Sequence, residues 1–309
     1  MSRIAVTGGA GFIGSNLTRR FVESGHQVVV IDDLSTGLAS NLNGINLDFR
    51  EISIVDFQAL ASAIKGSDVV VHLAARGSVP RSVLDPIATH SVNTLGTLNV
   101  LEACRENDSH LIFSSSSSVY GANGSLPKNE EMWMQPLSPY AASKLGAEGF
   151  VSAYSSTYGL RTTLLRFFNV FGPWQRHDHE YAAVLPKWIW KALHNQSIEL
   201  HGDGSQTRDF TYVETVCDVI ESAIKNKIYG PEVINLAYGN NISLNEVISK
   251  LRNHFPNLEI VNSPTRIGDV KNSQNSPKRI KSKFPDVEPI AFEIAFDETI
   301  KWLTYQSEK

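Results

Sequence analysis

Residues 7–14 read TGGAGFIG, and the placement of Gly8, Gly11 and Gly14 decides how the rest of the chain is read. An apolar, β-branched run, Arg3–Thr7, leads into the stretch. Residues 12–24 then carry a helical pattern that stops at Gly25, where a C-terminal cap wants a residue tolerant of positive φ. Glycines between a strand and a helix let the backbone approach a pyrophosphate, and the helix N-terminus faces it with unpaired N–H groups. The next strand, 27–31, runs into Asp32, 18 residues after Gly14, where a ribose-binding carboxylate belongs. A carboxylate there accepts bonds from two ribose hydroxyls and repels a 2′-phosphate, so the pattern points to NAD rather than NADP. Asp33 adds to that repulsion, and no arginine stands beside the pair.

The same rhythm continues outward. Runs 69–73, 110–115 and 162–166 read as strands, nearly all apolar, as parallel strands covered on both faces must be. Between them, 57–65, 86–107 and Pro139–Tyr158 are helix-length, and the expected fold is a doubly wound parallel α/β sheet of Rossmann type. After Asn169 aromatics, prolines and polar loops become frequent, with helices expected at 181–195, Val213–Lys225, 244–255 and 293–305 and a loop at 266–276. The expected division is a NAD-binding domain over 1–170 and a smaller α/β substrate-binding lobe over 171–309, with part of 208–240 returning to the first domain.

The totals exclude other classes. A net charge of -4 gives no electrostatic case for nucleic acid or an anionic membrane. No apolar run approaches the roughly 18–20 residues of a membrane span. The first strand begins too close to Met1 for a signal peptide, and Cys104 and Cys217 sit in apolar helical patterns as buried thiols. The expectation is a soluble, cytoplasmic protein. HDHE at 177–180 lacks a matched ligand set, so no metal is expected.

FSSSSSVYG, residues 113–121, ends a strand with five serines, and PYAASK places Tyr140 and Lys144 four residues apart on one helical face. Tyrosine has a reference pKa of about 10 and is a poor base. A neighbouring ammonium, with the positive nicotinamide ring, would stabilise tyrosinate and lower that value.

With these residues together, the chain resembles the extended short-chain dehydrogenase/reductases, specifically the UDP-sugar 4-epimerase branch. The likeness runs through TGGAGFIGS, VIDDLSTG, HLAA, SSSSVYG, PYAASK, RFFNVFGP, GDGSQTRDF and RIGDVKNS. It implies catalysis by Ser116, Tyr140 and Lys144, with Ser116 chosen among the serines because it lies four residues before Tyr120. It implies a NAD site formed by Gly8, Gly11, Phe12, Ile13, Gly14, Asp32, Asp33, Leu34, Ser35, Thr36, Gly37, Ser53, Ile54, Leu73, Ala74, Ala75 and Phe167, besides Tyr140 and Lys144. Related 4,6-dehydratases and decarboxylases carry carboxylates just after the equivalent of Ser116. Ser117 and Ser118 are too weakly acidic or basic for those reactions, which leaves a hydride shuttle without net redox change.

The resemblance also implies a UDP-sugar as the binding partner. Arg208 and Arg266 match the family's diphosphate ligands, Asn169 its β-phosphate or sugar contact, and Val184, Lys187, Leu200 and Gly202 a uridine cradle. Segments 77–82, 181–188 and 268–273 resemble bacterial epimerases of N-acetylated UDP-hexosamines. Ser273, where the wider family's tyrosine would close the pocket, leaves room for an N-acetyl group; Gly77, Ser78 and Ser117 complete the expected sugar contacts. UDP-GlcNAc and UDP-GalNAc are therefore the expected substrates, with their uronates and UDP-glucose/UDP-galactose as alternatives. A reductase and a non-catalytic sensor are the readings from other classes. Arg76 departs from the subgroup: it either favours a C6 carboxylate or turns to solvent or a partner subunit. The family's homodimer, built on helices 86–107 and Pro139–Tyr158, is implied too, although Leu145, Phe150 and Val151 could equally face the sheet.

Overall fold

The computed structural model describes residues 1–178, 182–264 and 272–308. Strands β1 (Arg3–Thr7), β2 (Gln27–Asp32), β3 (Asp48–Glu51), β4 (Val69–His72), β5 (His110–Ser116) and β6 (Thr162–Phe167) alternate with helices α1 (Phe12–Glu23), α2 (Phe57–Ile64), α3 (Val79–Leu84), α4 (Pro86–His90), α5 (Gly96–Asn107) and α6 (Pro139–Tyr158). Beyond them lie β7 (Val170–Phe171), α7 (Val184–Leu193), β8 (Ile198–His201), β9 (Thr207–Arg208), β10 (Thr211–Tyr212), α8 (Val213–Lys225), β11 (Val233–Leu236), β12 (Ile242–Ser243), α9 (Leu244–His254), β13 (Ile260–Ser263), α10 (Lys278–Lys283) and α11 (Phe292–Ser307).

Seven strands form one parallel sheet in the order β11-β6-β5-β4-β1-β2-β3. Successive side chains point to opposite faces, so the apolar strands supply two cores. Ile4, Val6, Val28 and Val30 pack on Leu17 and Phe21 of α1 and on Val216 and Ile220 of α8. Ala5, Val29, Ile31 and Phe113 pack on Leu60 and Ile64 of α2, Val100 of α5, and Ala147 and Val151 of α6. The chain order reverses between β1 and β4, and such a switch point opens a crevice at the carboxyl ends of the strands.

The C-terminal part both adds to this sheet and builds its own core. Strand β11 pairs with β6, and α8 lies on α1, where Arg20 meets Glu214, Asp218 and Glu221. Separately, Phe171, Trp188, Phe210, Phe292 and Phe296 bury one another around α7, α9 and α11.

Besides α10 and β11, which the sequence reading passes over, two local features near the crevice depart from it. The long helix expected over 86–107 is continuous but widens into a π turn at Ser91–Leu95, a local form that recurs at functional sites. Within that turn Asn93 accepts from the Arg76 N–H at 2.8 Å and donates to Ser143 Oγ at 2.9 Å. Helix α3 was not anticipated; Ser78 caps it by accepting from Arg81 N, with Pro80 in its first turn. Of the three apolar positions on α6, Val151 is fully buried against the sheet and Leu145 packs beside Val119, Tyr120 and Phe168. Phe150 points outward, as do Val83, Leu84 and Ile87 on α3 and α4. Among the described residues no helix is long and apolar enough to cross a membrane.

Candidate active site

The crevice at the switch point holds a cavity of about 370 Å³. One end is the glycine turn. A Cβ on Gly14 would lie 2.2 Å from the Gly8 carbonyl oxygen and 2.6 Å from Gly9 Cα, and one on Gly8, at φ +73°, would lie 2.7 Å from the Ala74 nitrogen. The turn is thus packed against β4 and the start of α1 at distances only glycine allows. Asp32 closes β2 beneath it, accepting from Ala10 N at 3.0 Å and Leu34 N at 2.9 Å. Burial raises the Asp32 pKa and the two N–H bonds oppose that rise.

Phe12, Ile13, Asp33, Ser35, Thr36, Ile54, Leu73, Ala74, Ala75 and Phe167 join these residues in the cavity wall, as do Ile31, Ile52, Val92 and Val170, which the sequence reading passed over. Leu34, Gly37 and Ser53 stand outside that wall. Leu34 packs into the core, and Gly37 lies close to the Asp32 carboxylate. This narrow cradle of glycines with a carboxylate at the end of β2 suits the pyrophosphate and ribose of NAD.

The other end of the cavity holds the serines and α6. Ser114, Ser115 and Ser116 each meet a different residue of that helix. Lys144 Nζ donates to the Ser114 carbonyl at 2.8 Å, Ser115 Oγ donates to Glu148 at 2.8 Å, and Tyr140 lines the cavity with Ser116, whose hydroxyl opposes the rise that burial causes in the tyrosine pKa. Ser116 Oγ also accepts from Ser118 N at 3.2 Å and Ser118 Oγ at 2.9 Å. Ser118 thereby orients Ser116, while Ser117 lies in the turn beyond the strand and outside the cavity wall.

The expectation that Lys144, together with the nicotinamide ring, lowers the Tyr140 pKa meets an opposing effect within the protein itself. Burial pushes the tyrosine up and the Ser116 hydroxyl opposes it, while the Lys144 ammonium donates to the Ser114 carbonyl. Burial also lowers the Lys144 pKa to about 8. An unfolded lysine holds its proton to about 10.4, so between these values unfolding takes up a proton and rising pH favours the native state. This contribution is fully present above the unfolded value and is lost as pH falls through the folded one. Denaturation of ligand-free wild type and Lys144→Met at pH 7 and pH 10 is expected to show wild type gaining on the variant by up to roughly 3 kcal/mol. A pH-independent difference would contradict this.

Toward the smaller lobe, Gly77 and Arg76 line the cavity, and Arg76 reaches Asp85 only at 3.7 Å. Ser78, expected on the sugar, has its hydroxyl at the α3 cap and lies outside the wall. Asn169, Val184, Lys187, Leu200, Gly202, Arg208 and Ser273 stand beyond the wall on the lobe side. Asn169 Nδ2 donates to the Asp209 carbonyl at 3.0 Å, and Ser273 N donates to the Thr207 carbonyl at 3.1 Å, so the segments bearing Arg208 and Ser273 are laced together. Leu200 is buried in the lobe core. Arg266 lies outside the described residues.

Sequence reasoning missed Asp209. It is fully buried, accepts from Gly239 N, Asn240 N and Asn275 N, and has a pKa raised by burial to about 7. It also missed Glu148 and Arg166, although Glu148 continues the four-residue spacing of Tyr140 and Lys144.

Comparison with known proteins gives this site its setting. Residues 4–237 match the NAD dependent epimerase/dehydratase family. A putative UDP-glucose 4-epimerase from Methanocaldococcus jannaschii is 37% identical over 82% of this chain and 82% of its own. Among solved structures, a UDP-N-acetylglucosamine 4-epimerase from Methanobrevibacter ruminantium in complex with UDP-N-acetylmuramic acid superposes with a TM-score of 0.93 at 36% identity, covering 99% of both chains. A UDP-glucose 4-epimerase from Thermus thermophilus in complex with NAD superposes at 0.88 with 32% identity, covering 97% of this chain and 98% of that one. With a dinucleotide cradle at one end of the cavity and a Ser-Tyr-Lys set at the other, the chain belongs to the NAD-dependent epimerase/dehydratase family.

Proposed function

We propose that this protein interconverts the C4 epimers of a UDP-hexose, with UDP-GlcNAc and UDP-GalNAc as its preferred pair. The observation that carries the reading is a single cavity lined by Ser116, by Tyr140 and Lys144 one turn apart on α6, and by the glycine cradle. The glycine turn and Asp32 would hold NAD there, and the chemistry it would supply is reversible hydride acceptance at the sugar C4. Tyr140 takes the proton of the sugar O4 through Ser116, and returns it when the 4-keto sugar is reduced. Lys144 supplies positive charge beneath that exchange. Ser117 and Ser118, where a dehydratase or decarboxylase would need carboxylates, support a reaction that stops at epimerisation. The division into a NAD domain over 1–170 and a substrate lobe over 171–309, with part of 208–240 returning to the first domain, belongs to this reading.

Arg208 and Arg266 are assigned to the diphosphate, since a guanidinium matches phosphate oxygens with paired donors, and Asn169 to the β-phosphate or the sugar. Support for the N-acetylated pair comes from Ser273 and from a structural relative whose named activity and bound ligand both carry an N-acetyl group. Incubating the protein with UDP-GlcNAc, UDP-GlcNAcA and UDP-glucose, without reductant, and following the anomeric protons by NMR tests the reading. Galacto-configured product is expected, and none with any sugar, even with NAD supplied, would remove it. Ser273→Tyr is expected to lower kcat/KM on UDP-GlcNAc at least about tenfold relative to UDP-glucose; an unchanged ratio would discredit the gate.

A second reading concerns charge. Arg76 lines the cavity with its backbone fixed by Asn93, and its ion pair with Asp85 is long. A cation so placed favours a uronate, and Arg76→Leu is expected to lose efficiency on UDP-GlcNAcA selectively. Equal losses on both sugars would end this idea. The outward apolar residues Val83, Leu84, Ile87 and Phe150 support a homodimer through α3, α4 and α6; a monomeric mass in solution would count against it.

A further inference from the structure

Tyr140, Lys144 and Glu148 succeed one another at intervals of four along α6, and all three engage the end of β5. Two of them serve the chemistry proposed above, which leaves the third to be explained. The side chains of Glu148 and Arg166 are 7% and 3% exposed. Arg166, on β6, grips the carboxylate with both arms of its fork, donating from Nε to Oε2 at 3.0 Å and from Nη2 to Oε1.

From this pair a line of buried hydrogen bonds leads to the smaller lobe. Arg166 Nη1 donates to Tyr120 OH at 2.9 Å, and Tyr120 OH donates to Asn235 Oδ1 at 2.8 Å. Asn235 Nδ2 donates to Asn275 Oδ1 at 2.8 Å, and Asn275 N donates to Asp209 Oδ2 at 2.8 Å. Asp209 follows Arg208 directly. The line therefore joins the strand end bearing Ser116 to the segment assigned to the diphosphate.

A buried ion pair is weak evidence for stability, because well-packed apolar residues of similar volume often do as well or better. Its value here lies in direction: a fork-on-carboxylate contact fixes angle as well as distance. We propose that Glu148 and Arg166 are positioning residues, which set the rotation and height of α6 against β5 so that Tyr140 meets Ser116, and which tie that setting to the segment carrying Arg208. The proposal rests on the reading of Tyr140 as the proton-transfer group.

The test uses the full-length protein saturated with NAD and whichever of the three UDP-sugars wild type converts. Glu148→Gln leaves the guanidinium buried without its counter-charge, and a lower Tm with a 10- to 100-fold loss of kcat is expected. The double variant Glu148→Leu/Arg166→Met removes both charges at similar volume. It should recover most of the Tm yet keep kcat at least about tenfold low with KM for the sugar little changed, and move the acid limb of the kcat profile to higher pH. Ser115→Ala deletes only the hydroxyl that Glu148 holds, and it should shift the same limb in the same direction by a smaller amount.

Wild-type kcat and an unmoved pH profile in a double variant of restored Tm would overturn the proposal. If the double variant does not fold, an unmoved profile in Ser115→Ala does so instead. Tyr140→Phe, run alongside, separates the two ideas. If that variant keeps wild-type turnover, the proton-transfer reading itself falls. If it is inactive while the double variant and Ser115→Ala behave as wild type, only the positioning role falls.

Discussion

Tyr140→Phe is expected to cut kcat by roughly 10²–10⁴-fold, the range for removing a positioned acid or base, while NAD and UDP-sugar binding stay near wild type. The substitution removes one oxygen from a ring that already sits in the cavity wall beside Ser116. Lys144 keeps its bond to the Ser114 carbonyl and the glycine cradle is untouched, so the loss should fall on kcat rather than on KM. Burial raises the Tyr140 pKa, so a larger share of wild-type sites should become competent as pH rises from the acid side. The phenylalanine variant should lack that acid limb. Stopped-time NMR assays from pH 6 to pH 9, with NAD binding measured calorimetrically, check both statements. A variant with full turnover, or one that has lost NAD binding along with activity, would defeat the assignment.

What the sequence made legible was local. The strand-turn-helix around TGGAGFIG, the carboxylate ending β2 and the Tyr140–Lys144 spacing each lie within one or two neighbouring elements, and each stands in the structure where the pattern puts it. The partners of these residues were not legible. That Lys144 bonds to Ser114 rather than to Tyr140 depends on how α6 lies across β5, 30 residues away in the chain. Glu148 read as an ordinary helix carboxylate because nothing nearby announces Arg166, which reaches it only through the neighbouring strand β6. Asp209 was hidden for the same reason: its donors come from Gly239, Asn240 and Asn275. Ser78 carries a local role that the sequence pattern does not announce: its hydroxyl accepts from Arg81 N at the start of a short helix.

Gly14→Ala should be the most damaging single-methyl change in the cofactor cradle, and space rather than conformation is the reason. A Cβ there would lie 2.2 Å from the Gly8 oxygen, 2.6 Å from Gly9 Cα and 2.9 Å from the Gly8 carbonyl carbon, all of them backbone atoms with no flexible end to swing aside. Either α1 must back away from the turn, disturbing Leu17 and Phe21 in the sheet core, or the turn must open and lose its fit to a pyrophosphate. Overpacking a core costs about 1–3 kcal/mol when side chains can adjust. Here they cannot, so a loss of about 3 kcal/mol or more is expected, a fall in Tm on the order of 5–10 °C. Gly25→Ala is the matching control: its φ is +81°, but an added Cβ would meet nothing within 4 Å. That change carries only the left-handed backbone penalty of about 1–2 kcal/mol and should leave NAD binding intact. Thermal melts and NAD content of the two variants side by side separate crowding from conformation. Normal NAD content in Gly14→Ala would mean that the turn yields where its backbone contacts say it cannot.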